Sequence, residues 1–590
     1  MRLRLWAPGQ RAPRLLLEDI GEEFPLEPEE DGWFRLVTDR ASAGTAYVYV
    51  LDDGTRIPDP ASRFQPDDVH GPSEVVDPRA YAWRHADWRG RPWHDAVVYE
   101  LHVGAFTATG DYAGVEAELD RLADLGVTAI ELMPLSDTPG RHNWGYDGVL
   151  PFAPESCHGR PDDLKRLIDA AHGRGLMVLL DVVHNHFGPD GNYLGLYAPD
   201  FFDPTEQTPW GPAINFGRRP VRDFVVQNVL YWLNEYRFDG LRFDAVHALV
   251  DNDDGHILDE IATAARQGVD PDRHVHLVLE NELNEARRLV RDAEGRPRFY
   301  TAQWNDDAHH CLHVLATGES EAYYGPYAED PAAKLVKALA SGFVWQGEPF
   351  GYWDGEPRGE PSATLPPTAF VNFLQNHDQI GNRALGERLD ALAAPEAVAA
   401  LLAVVLLAPQ VPMLFMGEEY AAPEPFLFFT DFDAELGEKV RDGRRAEFAG
   451  FAAFADPDTR ARIPDPNDAA TFARTRLDTA ARARPPHADR TAYVRRLLRL
   501  RAEQVAPRLA GLRDNACVLA EADERSILVA WRLDDDSRLE LCANLGERAT
   551  PPVKNGLSPE AHILFATHAA AALGGVMPPW SVVWRLQAAA

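Results

Sequence analysis

Between Ala96 and Glu419 one texture repeats along the chain: short apolar runs of strand character alternate with amphipathic stretches of helical period. The runs are AVVYELHV (96–103), VTAIELMPL (127–135), LMVLLDVVHNH (176–186), GLRFDAVHAL (240–249), HVHLVLENE (274–282), YTAQWNDD (300–307), AFVNFLQNHD (369–378) and QVPMLFMGEE (410–419). Runs apolar on both faces are what a parallel sheet covered by helices requires. Between the second and third, PDDLKRLIDAAHGRG (161–175) puts Leu164, Leu167, Ile168 and Ala171 on one helical face, and Gly173 and Gly175 end it. Eight such strands predict a (β/α)8 TIM barrel over residues 91–504. At roughly 150 residues per domain, 590 residues suggest four domains. One barrel of that size reduces the count to three.

The flanks read differently. Residues 1–90 hold LRLWAP, RLLLE, GWFRLV and TAYVYVL, short runs separated by Gly, Pro and Asp turns, and predict a small N-terminal β-sandwich. PDPASRFQPDDVHGPSEVVDP (58–78) lacks periodicity and is expected to wrap over a neighbour. Residues 505–590 return to alternation in ERSILVAWRL, RLELCANL and SVVWRLQ, which predicts a C-terminal β-sandwich. The aromatic-rich stretch 187–236 exceeds the usual 2–6-residue βα connection and is expected to form an excursion beside the active face. VRRLLRLRAEQ (494–504) reads as an amphipathic helix with a solvated Arg face and with Leu497, Leu498 and Leu500 near the core.

Composition excludes several partners. Lys plus Arg is 58 against 92 Asp plus Glu, a formal net charge of −34, which argues against nucleic acid and anionic lipid. Cys157, Cys311, Cys517 and Cys542 are too few and scattered for a disulfide framework or a Cys-based zinc site. The apolar run 397–408 is shorter than the ~20 residues a membrane span needs and reads as a buried helix. The opening MRLRLWAPGQ turns polar too early for a signal peptide, so a cytoplasmic location is expected.

In a TIM barrel reactive groups lie at the C-terminal ends of the strands. Here those ends carry Asp181, Asn185 and His186, then Arg242 and Asp244, then Glu280, then His377 and Asp378. Arg242 and Asp244 are two apart, so a strand points both to one side. A guanidinium beside a carboxylate favours its ionised form, which a nucleophile needs. Glu280 follows the apolar VHLVL, a partly buried setting that suits a general acid. Two such carboxyls are the machinery of glycoside cleavage, with Asp378 as a third. His184 and His186 also read as an HxH metal pair, and His309, His310, Cys311 and His313 mimic ligands on a helix, but sugar contacts and ordinary helix packing account for both. Trp144 and Trp210 divide between core and stacking platform.

DVVHNH, GLRFDAVH, LVLEN and FLQNHD, in that order, resemble the four signature regions of the α-amylase superfamily, glycoside hydrolase family 13. The resemblance implies Asp244 as nucleophile, Glu280 as general acid/base and Asp378 as the third essential carboxylate. It implies that Arg242, His186 and His377 bind the same glucose, that Asp181 supports them, and that Tyr146, beside Asp147 in NWGYD, is the aromatic platform. The flanking sequence is similar to the maltooligosyltrehalose trehalohydrolase family through YELHVGAFT, TPWGPAINF (208–216), QWNDDAHHCLHVLATGE (303–319), FLQNHDQIGNRALGERL (373–389) and IPDPNDAATFARTRLD (463–478). That similarity implies hydrolysis, with retention, of the α-1,4 bond joining a maltooligosaccharide to terminal trehalose, and a functional pairing with a trehalose-forming synthase. The N-terminal module resembles that of glycogen branching and debranching enzymes, which implies a β-sandwich of immunoglobulin-like (E-set) type.

One departure stands out. Calcium-dependent amylases have Lys-His after the nucleophile region, where this chain has His247-Ala248. Asn185 matches a calcium position, but without the rest no calcium, no other metal and no cofactor are expected. His247 is then expected on the substrate side. Branching or debranching enzymes share the same catalytic residues and remain an alternative, as does, more remotely, a silent glucan-binding protein. Trehalose selection is expected in the loops after the third, fourth and sixth strands, with Trp210 and Asp306 as candidates.

Overall fold

The computed structural model describes residues 1–589 except 209, 252–254, 552–556 and 570–575. All eight predicted strands form, at Val98–Leu101, Ala129–Leu132, Met177–Val182, Gly240–Phe243, His276–Leu279, Ala302–Trp304, Phe370–Phe373 and Val411–Phe415. They pair in parallel in chain order, and the eighth pairs with the first, so the barrel closes. Their residues are buried on both faces, as the absence of alternation required.

Local chemistry sets the helix limits. Asp111 accepts from the Gly114 N–H at 2.7 Å and starts the helix Tyr112–Leu125, which stops where Gly126 turns left-handed. Pro161 opens Pro161–His172, and Asp163 accepts from the Arg160 N–H at 2.9 Å. The apolar run 397–408 lies in the helix Pro395–Leu407, buried all round. Leu497 and Leu498 are buried as expected in His487–Leu500, but Arg501, just beyond, is not solvated. It is buried and donates to the carbonyls of Leu406, Ala408 and Gln410, which neither the helix 395–407 nor the eighth strand uses.

The N-terminal part contains two sheets. Arg2–Trp6 pairs with Trp33–Val37, and Arg14–Leu17 lies between Glu22–Pro25 and Ala46–Val50. Segment 58–78 is largely turns and reaches the barrel's active side: Asp68 accepts from Gly140 N–H at 3.0 Å, and His70 Nδ1 lies 2.7 Å from the Tyr193 hydroxyl. The C-terminal part forms, among the described residues, one five-stranded antiparallel sheet rather than two. Its covering layer is the barrel itself, where Trp531 and Trp584 donate to Leu339 O and Ala403 O.

The stretch 187–236 divides in two. A short helix (Leu194–Tyr197) and a hairpin (Phe202–Thr208 with Gly211–Ile214) make the excursion, whereas Arg219–Asn234 is the barrel helix between the third and fourth strands. Pro209 of TPWGPAINF lies outside the described residues. Among the described residues no helix is long and apolar enough to cross a membrane.

Candidate active site

The C-terminal strand ends open into a cleft of about 980 Å³ whose walls include Tyr146, Asp244, Glu280, His377 and Asp378. At its floor lies Arg242, fully buried. Register pairs Asp181 with Arg242 across the third and fourth strands. Arg242 Nη1 donates to Asp181 Oδ2 at 2.7 Å and to Asp244 Oδ1 at 2.8 Å, and Nη2 lies 2.7 Å from Glu280 Oε2. One guanidinium therefore holds three carboxylates, and its face lies 4.2 Å from the Trp304 ring. The sequence paired Arg242 with Asp244 only; that it also pairs with Glu280 comes from the fold.

Asn185 donates to both the main-chain and side-chain oxygens of Asp244, at 3.0 and 3.1 Å, and its own side-chain oxygen contacts His186. Ala245, directly after Asp244, sits at φ 38, ψ 50, a left-handed conformation uncommon for alanine. That twist aims the Ala245 N–H at Glu280 Oε2, 2.8 Å away. Nothing in the sequence marks it, because alanine is not a turn residue.

The opposite wall is a chain of polar contacts. His377 Nδ1 lies 2.5 Å from Glu100 Oε1, and its Nε2 lies 2.7 Å from the Tyr146 hydroxyl, which donates to Asp181 Oδ2 at 2.6 Å. Burial opposes a charged His377, but Asp378 and Glu100 prevail and raise its pKa to about 9. Burial, only partly offset by Arg242, pushes Asp181 up to about 7. Glu100 and Glu131 escaped the sequence reading. Both are carboxylates inside apolar strand runs, and that was the available signal. They pair in register on the first and second strands, and burial drives Glu131 well above the usual carboxylate range.

The remaining candidates fall in different places. Tyr146 lies nearly parallel to His377 at 5.0 Å between ring centres. Trp210 is half exposed and stacks on His186 at 4.5 Å and 9°, so it joins the cleft rather than the core. Trp144 lines the cleft but is buried, donates to Leu427 O and packs against Phe426. Asp147 accepts from Asn143 at 2.7 Å beside the cleft. His247 lines the cleft, with its Nε2 3.8 Å from Glu282.

Asp306 begins the helix Asp306–Thr317 and faces the cleft; burial, reinforced by Glu280, raises its pKa to about 8. Of the histidines that follow, His310 rather than His309 lines the cleft, while His309 is buried against Leu374 O. His184 is buried against Asn228 at 2.8 Å. Among the described residues no cluster of His, Cys, Asp and Glu has the form of a metal site. Unanticipated neighbours of Asp306 are Tyr327 and Arg358, both held by Asp307, which accepts from each of them and from the Val344 and Trp345 N–H groups.

Residues 79–195 match the family model described as α-amylase, catalytic domain, and residues 513–584 match a domain of unknown function, DUF3459. The chain is 38% identical over 596 residues to the malto-oligosyltrehalose trehalohydrolase of Rhizobium sp. strain M-11, spanning 98% of this chain and 96% of that protein. It is 41% identical over 447 residues to the protein of the same name from Saccharolobus solfataricus, covering 75% and 78% of the two chains. A crystal structure of a Salmonella typhimurium protein assigned as an α-amylase superposes with a TM-score of 0.94 at 44% identity, covering 99% of this chain and 97% of that one.

Proposed function

The chain belongs to the malto-oligosyltrehalose trehalohydrolases, glycosidases of the α-amylase family, and from that membership we propose the part each residue plays in its cleft. The observation that carries the reading is the single guanidinium of Arg242 bridging Asp244 and Glu280. A shared guanidinium suits the close carboxyl pair, ~5–5.5 Å apart, of a retaining glycosidase. Asp244, oriented by Arg242 and Asn185, attacks the anomeric carbon. Glu280 Oε2 is occupied by Arg242 and the Ala245 N–H, so Oε1 is the atom that carries the proton to the leaving oxygen. Water deprotonated by Glu280 then attacks the anomeric carbon of the glycosyl ester, the bond to Asp244 breaks, and the sugar leaves with its configuration retained.

Tyr146, His186, His377 and Asp378 seat the glucose that is attacked. Asp378 binds its hydroxyls, and the Tyr146 ring, whose hydroxyl His377 holds, lies against its apolar face. The leaving unit lies on the Glu280 side, where His247, Asp306 and Arg358 line the cleft. Raised by burial, Asp306 is a neutral acid near pH 7 and donates to a sugar hydroxyl. A neutral trehalose-ended α-glucan, made by a separate trehalose-forming synthase, is the substrate this arrangement fits. Calcium has no part in this reading. Asn185 is committed to Asp244 and His186, and Ala248 follows His247 where Lys-His would be.

The test is incubation with maltotriosyl-trehalose, maltopentaose and amylopectin. Trehalose release with little action on maltopentaose is expected. Branch formation, or α-1,6 cleavage without trehalose release, would overturn the reading.

A further inference from the structure

Beyond the glucose pocket the cleft continues along a wall that the mechanism does not use. The sequence FAGFAAF places Phe448, Phe451 and Phe454 at every third position. Phe448 opens the 3₁₀ turn Phe448–Gly450, Phe454 ends the turn Ala452–Phe454, and Phe451 is the extended residue between them, at φ −85 and ψ 134. The ring centres of Phe451 and Phe454 lie 5.5 and 5.6 Å from that of Phe448. This trio is separate from the main apolar core and clusters with Ala384 and Ile463. Phe448 is the buried anchor, while Phe451 and Phe454 are half-buried with the cleft beside them.

Its attachments fix which end of the substrate it meets. Arg444 lies 5.2 Å from both the Phe428 and Phe448 rings and donates to Gly381 O at 2.6 Å and Arg383 O at 3.1 Å. Gly381 ends the short helix His377–Gly381, which carries Asp378. Trp144 lies so close to Gly381 that a Cβ there would meet its ring at 2.1 Å, and Phe428 packs edge-on to Trp144 at 5.1 Å. Trp144 and Phe428 therefore lead from the glucose pocket to the Arg444 guanidinium, which bridges Phe428 to Phe448 and ties the trio to the Asp378 wall. Glu280 protonates the leaving unit, so that unit occupies the Glu280 wall. The rest of the glucan must leave along the other.

We propose that Phe448, Phe451 and Phe454 form a subsite for the maltooligosaccharide chain, stacking on glucose rings remote from the bond that is cut. An uncharged glucan offers such a site the apolar C–H faces of its rings, and flat aromatic side chains are the surface that matches them. The proposal rests on the trehalohydrolase reading above, since that reading decides which wall faces the leaving unit.

Kinetics on maltosyl-trehalose and maltohexaosyl-trehalose test it, using the wild type and the variants Phe451→Ala, Phe454→Ala and Phe451→Leu. Each Ala variant should lose roughly tenfold in kcat/KM on the long substrate, through KM, with the short substrate unchanged. Phe451→Leu keeps apolar volume without the flat ring. It should melt with the wild type yet retain most of the long-chain loss. Equal losses on both substrates, no loss on the long one, or full restoration by Leu would each overturn the subsite. Wild-type failure to release trehalose from either substrate would instead count against the reading of the cleft as a whole.

Discussion

The two ends of the barrel contain the same kinds of side chain and treat them in opposite ways. At the N-terminal end, Asp239 accepts from Trp88 Nε1 at 2.8 Å and the Val178 N–H at 2.9 Å, with His172 Nε2 3.0 Å away. Asp169 accepts from the Tyr81 hydroxyl and from the main chain and side chains of Arg84 and His85. Burial works against its charge, but the backbone N–H groups of Arg84 and His85 prevail and hold its pKa well below the usual range. At the C-terminal end, three carboxylates share one arginine, and Asp181 Oδ1, Glu131 Oε1 and Arg242 Nε are buried with no hydrogen-bond partner among the described residues. Saturated carboxylates stabilise the fold. Unsaturated ones hold a polar cavity open at a cost in stability, which is the usual arrangement at a functional site.

The sharpest way to break this contrast is Asp244→Asn. It should reduce turnover by a factor on the order of 10⁴ while leaving the melting transition in place. A variant that retains trehalose release, measured on maltotriosyl-trehalose, would remove Asp244 from the role of nucleophile. The converse substitution at the other end is Asp239→Ala. It strands the Trp88, His172 and Val178 donors and should cost about 3–5 kcal/mol of stability. Turnover per folded molecule, measured after correcting for the folded fraction, should stay near that of the wild type. A selective loss of turnover would mean that the two ends are coupled.

The contrast also explains what was legible in the sequence. The barrel was readable because continuous apolar runs leave no other economical fold, and Asp244, Glu280 and Asp378 stood out as charges ending such runs. Glu100 and Glu131 lie within their runs, where a single carboxylate does not disturb the pattern. The Asp306–Asp307–Tyr327–Arg358 wall draws on positions up to 52 residues apart in separate short elements, so only the folded chain brings them together. The Arg501 side chain was read as solvated because helical period alone cannot see the unpaired carbonyls that await it at the end of a neighbouring helix. The C-terminal sheet needed no second sheet for a similar reason. Its alternation shows that a face is covered but not what covers it.

A smaller effect tests the chemistry of the open end. Glu100 lies at the bottom of the cleft wall and touches His377, not the substrate, so it is a positioning residue. The pKa of His377 is raised from 6.5 to about 9 in the folded protein, because Asp378 and Glu100 together outweigh burial. A raised histidine contributes its stability in full below about pH 6.5 and loses it as pH climbs through 9. Glu100→Gln removes one of the two anions, so the stability gap between wild type and variant should be widest near pH 6 and narrow as pH passes 9. Denaturant titrations at several pH values would measure it. The alkaline limb of kcat should move to lower pH in the same variant, since neutral His377 no longer presents two N–H donors. A gap that stays constant across that range would show that Glu100 serves only as packing, and the open end of the barrel would then be less distinct from the closed one than its hydrogen bonds suggest.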